Sequence, residues 1–147
     1  MTAHKLRGGD VLAGLGGLAL LVVMFLPWYD FLAGPYPGSR FIADNDTAQS
    51  AWEAFSVLLV PLTLTALLGI ALFVTTLFER TSALPVAAQV FAAFIGSLTV
   101  IFVLIRLIDP PGPNFGATVR WEGWVGLLCT LAVAVGAWWS MRDEIRP

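Results

Sequence analysis

Four long apolar runs, separated by segments rich in tryptophan, proline and charge, occupy most of this chain, at 11–28, 53–78, 84–108 and 122–139. A bilayer's hydrocarbon core is about 30 Å thick, and a helix needs about 20 mostly apolar residues to cross it. Each run is near that length and has no charge in its middle. The expected fold class is all-α: a single transmembrane domain over residues 1–147, built as an integral membrane four-helix bundle with outer loops at 29–50 and 109–121. Composition agrees, with 58% hydrophobic residues and a mean hydropathy of +0.82. Only 12% of residues are charged, against about 25% in soluble domains. The net charge of −2 gives no reason to expect a nucleic acid partner.

The basic residues set the orientation, because positive charge collects on the cytoplasmic side. Lys5, Arg7, Arg80, Arg142 and Arg146 fall on one side of the runs. Arg40 and Arg120 fall on the other, with Arg106 near the membrane edge. Both termini are therefore expected in the cytoplasm. The first run is too long for the ~7–15-residue core of a signal peptide and lacks a small-x-small cleavage site, so it reads as an uncleaved helix. The single cysteine, Cys129, permits no disulfide within the chain and reads as a small packing residue.

Helix ends are well signalled. Asp10 is placed to cap the first helix, and Pro27-Trp28 to end it. Ser50-Ala51-Trp52-Glu53 matches a capping box, which starts the second helix near Ala51. Pro61 removes a backbone donor inside that helix and predicts a bend, with Thr63 and Thr65 near the freed carbonyl. The tight turn Glu79-Arg80-Thr81-Ser82 makes the second and third helices an antiparallel hairpin. Asp109-Pro110-Pro111-Gly112-Pro113 stops the third. Tryptophan favours the headgroup level, which puts Trp28, Trp52, Trp121 and Trp124 at the outer interface and Trp138 and Trp139 at the inner one.

Lipid supplies no hydrophobic force between helices, so small residues that permit close approach direct packing. Gly9, Ala13 and Gly17 form one such stripe, Ala88, Ala92 and Gly96 a second, and Gly126, Thr130 and Ala134 a third. The pattern leaves open whether these stripes face each other or another subunit. Gln89 is expected to bond Thr75 or Thr76 across the hairpin.

Ionisable groups are nearly absent from the apolar interior, which argues against an ion path or proton relay within this chain. They collect at the outer ends of the helices. The candidate outer-rim interaction or headgroup site is Trp28, Trp52, Glu53, Arg106, Asp109, Arg120 and Trp121. Arg106 either snorkels to the headgroups or pairs with Glu53 or Asp109 to pin the rim. Alternatively Arg106, Arg120 and Trp121 hold an anionic headgroup. No catalytic set, cofactor site or metal cluster can be built around His4, the only histidine. Asp44 and Asp46 read as solvated loop carboxylates, and Asn45-Asp46-Thr47 as a chance sequon.

The order Leu26-Pro27-Trp28-Tyr29, Ser50-Ala51-Trp52-Glu53-Ala54-Phe55, Arg106-Leu107-Ile108-Asp109-Pro110-Pro111-Gly112 and Trp139-Ser140-Met141-Arg142-Asp143-Glu144 resembles small, uncharacterised four-span integral membrane proteins of actinobacteria. The resemblance implies a multi-pass protein of the bacterial plasma (inner) membrane with cytoplasmic termini. It carries no activity and transfers no catalytic residue. A looser likeness to claudin-type four-span proteins rests on a tryptophan-bearing first outer loop, but the cysteine pair of that loop is missing. The expected function is non-enzymatic: association as an accessory or scaffold subunit of a larger membrane complex, or as a homo-oligomer, with membrane lipids around it. The alternative is a carrier, sensor or lipid-modifying enzyme that binds a lipid or apolar small molecule beneath the outer rim. Inward-facing small-residue stripes would fill the core and argue against an internal ligand.

Overall fold

The computed structural model describes residues 8–31, 48–78, 83–109 and 117–145. The elements in chain order are α1 (Gly8–Val23), β1 (Pro27–Phe31), β2 (Ala48–Ser50), α2 (Ala51–Ala54), α3 (Leu59–Phe78), α4 (Ala83–Ile108), β3 (Ala117–Val119) and α5 (Trp121–Ile145). Helices α3, α4 and α5 are each long and apolar enough to cross a membrane, and α1 is a shorter apolar helix of 16 residues. Backbone bonds from Met24 to Leu20, Phe25 to Val22 and Leu26 to Val23 add a further turn to α1. At 1.5 Å per residue, the stretch 8–26 is about 28 Å long.

The four long helices form a ring in which α1 and α4 each pack on both α3 and α5. The chain reverses at every step, so all ring neighbours are antiparallel. The small-residue stripes face inward. A Cβ placed on Gly17 would lie 2.5 Å from the Ala66 carbonyl oxygen, and one on Gly9 would lie 2.5 Å from that of Gly136. Gly69 meets Ala13 in the same way, and Gly96 lies against Ala134. Glycine here permits backbone-to-backbone contact that any side chain would prevent.

Two sets of polar groups bond across the ring. The Thr65 hydroxyl donates to the Pro61 carbonyl at 2.7 Å and lies 2.9 Å from Thr99 Oγ1, joining α3 to α4. At the end of the bundle that carries the termini, Gln89 Nε2 donates to Ser140 Oγ at 2.8 Å, and Ser140 donates to Asp10 Oδ1 at 2.5 Å. Asp10, Gln89 and Ser140 are all buried. The chain of donors ties α4 to α5 to α1.

Several expectations are corrected. Asp10 lies inside the first turn of α1 and bonds across to α5; it does not cap the helix. Gln89 reaches Ser140, while Thr75 and Thr76 donate to the Leu72 carbonyl of their own helix. The second span is broken. One turn, α2, follows Ser50, and α3 starts afresh at Leu59. Pro61 thus falls in a first turn, where its missing N–H costs no helical bond. It marks a helix start and makes no bend. The loops expected at 29–50 and 109–121 contribute strands, and the first helix gives way to a strand at Pro27. The 79–82 turn, the Pro-rich 110–113 segment, the sequon, and Lys5, Arg7, Arg40 and Arg146 lie outside the described residues.

A candidate rim site on a small sheet

The three strands form one antiparallel sheet in the order β2-β1-β3 across the end of the bundle opposite the termini. Along the β1–β2 pair, Pro27 faces Ser50 and Tyr29 faces Gln49, so Trp28 is an extra residue on β1. Such a bulge bends the strand and re-aims its side chains. Here it lets two successive aromatics, Trp28 and Tyr29, both be fully buried. Phe55 receives each of them edge-on, at ring distances of 5.6 and 5.8 Å. The Trp28 indole N–H donates to the Val23 carbonyl at 2.8 Å. Its ring covers Gly126, where any Cβ would overlap it.

Tyr29 solves a helix-end problem. The Arg106 carbonyl would take its helical donor from position 110, which is proline and has no N–H. The Tyr29 hydroxyl donates to that carbonyl at 2.9 Å instead. Burial pushes the Tyr29 phenol well above the ordinary tyrosine pKa, with the positive charge of Arg106 opposing.

Arg120 is the electrostatic centre of this end. Its backbone N–H donates to the Trp28 carbonyl at 2.8 Å, extending the β1–β3 ladder. Its Nη1 donates to both Asp30 oxygens at 3.1 and 3.2 Å. Its Nε and Nη2 donate to the two Glu122 oxygens at 3.2 and 3.4 Å. The planar guanidinium suits such paired contacts. Hydrogen bonds to Glu122, then to Asp30, raise the Arg120 pKa further. Glu122 is buried and in the first turn of α5, where the helix dipole favours a carboxylate. One side chain thus fastens β1, β3 and α5 together.

Among the described side chains of the seven residues expected at the rim, Arg120 alone joins an ion-paired cluster, with Asp30 and Glu122, which lay outside that set. Trp28 is a core residue: its N–H is spent on Val23 and its ring on Gly126. Trp52 is partly exposed, on α2, and packs against Phe25 at 5.5 Å. Trp121 is exposed. The Glu53 side chain lies outside the described ones, so the capping box is unread beyond Ser50 preceding α2. The side chains of Arg106 and Asp109 are exposed and form no ion pair with each other. The rim is therefore pinned by the hydroxyl of Tyr29 on the Arg106 backbone, and by Arg120. Among the described residues, no group of three or more His, Cys, Asp and Glu is placed to hold a metal ion.

Four aromatics also stand exposed at this end: Phe25 at 70% exposure, Trp121 at 66%, Trp124 at 46% and Trp52 at 38%. Just below, on the outer face of α3, an apolar groove of about 370 Å³ is lined by Leu59, Val60, Thr63, Leu64 and Leu67. Comparisons with known protein families, with curated proteins and with solved structures find no match.

Proposed function

We propose that this chain is a non-enzymatic, four-span membrane protein that works by association, as an accessory or scaffold subunit or as a homo-oligomer, through the cap at its sheet end. The observation that carries the reading is the contrast within that cap. Its base is fastened by the Trp28–Phe55–Tyr29 cluster and the Arg120 clamp, whereas Phe25, Trp52 and Trp121 stand exposed on it. Rigidly held, exposed aromatics are what protein interfaces draw on for their central contacts. The small-residue stripes are used up inside the bundle, so a second subunit would meet the cap or the outer helix faces. With α1 and its extra turn as the fourth span, the cap lies on the outer side of a bacterial plasma membrane and both termini in the cytoplasm. The bias of basic residues toward the termini end supports that orientation.

A second reading, a binder of lipid or apolar small molecules, has the α3 groove in its favour, because that groove sits beneath the rim. Native mass spectrometry of the protein taken from its own membrane in mild detergent separates the two. The association reading expects a stoichiometric partner or a defined oligomer, lost in a Trp52→Ala/Trp121→Ala variant. A monomer carrying one apolar molecule, released by Leu64→Trp, would overturn it in favour of the second reading.

A further inference from the structure

At the termini end, α5 carries a second groove, of about 540 Å³, lined by Val135, Trp138, Trp139, Arg142 and Asp143. Its chemistry is graded along the helix. Val135 is apolar and half exposed, and the two tryptophans, each 53% exposed, follow toward the helix end. Arg142 and Asp143 come last, both exposed. The Trp138 indole N–H is spent on Ser97 Oγ of α4 at 3.0 Å, so that ring serves as a fixed apolar wall. Trp139 belongs to the aromatic belt expected at headgroup depth. Neither Arg142 nor Asp143 makes an ion pair among the described residues. Successive residues on a helix point about 100° apart, so the two charges are presented side by side without neutralising each other.

An apolar slot that ends in one cation and one anion is complementary to a particular molecule. We propose that this groove binds a single phospholipid whose headgroup carries both a phosphate and a primary ammonium, of the ethanolamine type. The phosphate takes the Arg142 guanidinium, which suits its oxygens in paired geometry. The ammonium donates to the Asp143 carboxylate. One acyl chain runs along Trp138 and Val135. A choline headgroup has no N–H to donate, and an anionic glycerol headgroup sets no cation against Asp143. The site lies at the opposite end of the bundle from the cap and does not depend on the association reading.

The test uses the full-length protein in nanodiscs made of equal parts phosphatidylethanolamine, phosphatidylcholine and phosphatidylglycerol. Native mass spectrometry then reads which lipid stays bound after the disc is stripped. One phosphatidylethanolamine should be retained about fivefold over either competitor, the scale of one charge-assisted contact at an exposed site. Arg142→Gln should lose retention of all three lipids. Asp143→Ala should keep a bound phospholipid but retain ethanolamine and choline forms equally. Both positions are exposed near the helix end, and circular dichroism checks that each variant folds. Phosphatidylglycerol retained as well as phosphatidylethanolamine, an Asp143→Ala variant with its preference intact, or an Arg142→Gln variant that binds like wild type would each overturn the proposal.

Discussion

The Tyr29 hydroxyl offers the sharpest test of how the sheet end is held. Tyr29→Phe keeps the ring and its edge-on contact with Phe55, so the packing change is close to zero. What is lost is the hydroxyl, with its 2.9 Å hydrogen bond to the Arg106 carbonyl. That carbonyl has no substitute helical donor, because position 110 is proline. A typical net hydrogen bond is worth about 1 kcal/mol, and an orphaned buried acceptor adds to the loss, for about 1–3 kcal/mol in all. The bond is only part-buried, so water partly replaces it and the lower half of that range applies. The expected destabilisation is about 1.5 kcal/mol, roughly a tenfold fall in the folded-to-unfolded ratio. Reversible unfolding in mixed micelles, followed by circular dichroism, measures it. Arg106→Ala is the control. It keeps the backbone acceptor and removes an exposed, unpaired side chain, so it should shift stability by less than about 0.5 kcal/mol. Alkaline pH gives a second readout. An unfolded tyrosine titrates near pH 10, and burial raises the folded value above that. The folded state therefore holds the extra proton, and this contribution is whole below pH 10 and lost as pH climbs toward the folded value. Tyr29→Phe should lack that loss. A Tyr29→Phe change below about 0.3 kcal/mol, or an Arg106→Ala change as large as that of Tyr29→Phe, would refute the reasoning.

Arg120→Gln removes both pairings of the clamp and leaves the buried Glu122 without its cation. It should lower the unfolding midpoint, and more than Arg106→Ala does, while Arg120→Gln/Glu122→Gln should recover part of the loss. Gly17→Ala forces a methyl to 2.5 Å from the Ala66 carbonyl; separating α1 from α3 should cost about 1–3 kcal/mol. Gly8→Ala, with nothing within 4 Å, should be near neutral in the same titration. Ser140→Ala removes the hydroxyl that donates to Asp10 and accepts from Gln89. About 2 kcal/mol is expected, and a double-mutant cycle with Asp10→Ala should return a coupling of at least about 0.5 kcal/mol.

The helices were legible because a run long enough to cross a bilayer is a strong signal. Expected spans of 84–108 and 122–139 stand beside observed helices Ala83–Ile108 and Trp121–Ile145. The sheet was not, since strands of three to five residues are too short to show alternation. Trp28 and Tyr29 even occur as adjacent aromatics, both buried at the bulge, where alternation fails. Pro61 misled because a proline in an apolar run signals equally a kink or a first turn. Its register became readable only once the break at 55–58 was seen. Trp28 read as an interfacial residue because indole is amphipathic; that the Val23 carbonyl would take its N–H depends on the chain turning at Pro27. Arg120 was named among the rim residues, but its partners were not. Glu122 is two residues away, while Asp30 arrives only through the pairing of β1 with β3.

The strand order β2-β1-β3 also has a consequence for assembly. Strand β1 follows the first helix, yet its second neighbour lies beyond α3 and α4. Synthesis runs from N- to C-terminus, so the central strand must wait for most of the chain before its ladder closes. Contacts this distant in sequence form late, since their loop closure is unfavourable until the intervening helices have packed. Until β3 and α5 arrive, the Trp28 ring has no Gly126 to cover and the contact of Asp30 with Arg120 cannot form. The finished cap is thus a mark that α5 has joined the bundle: anything that recognises it distinguishes closed bundles from nascent ones.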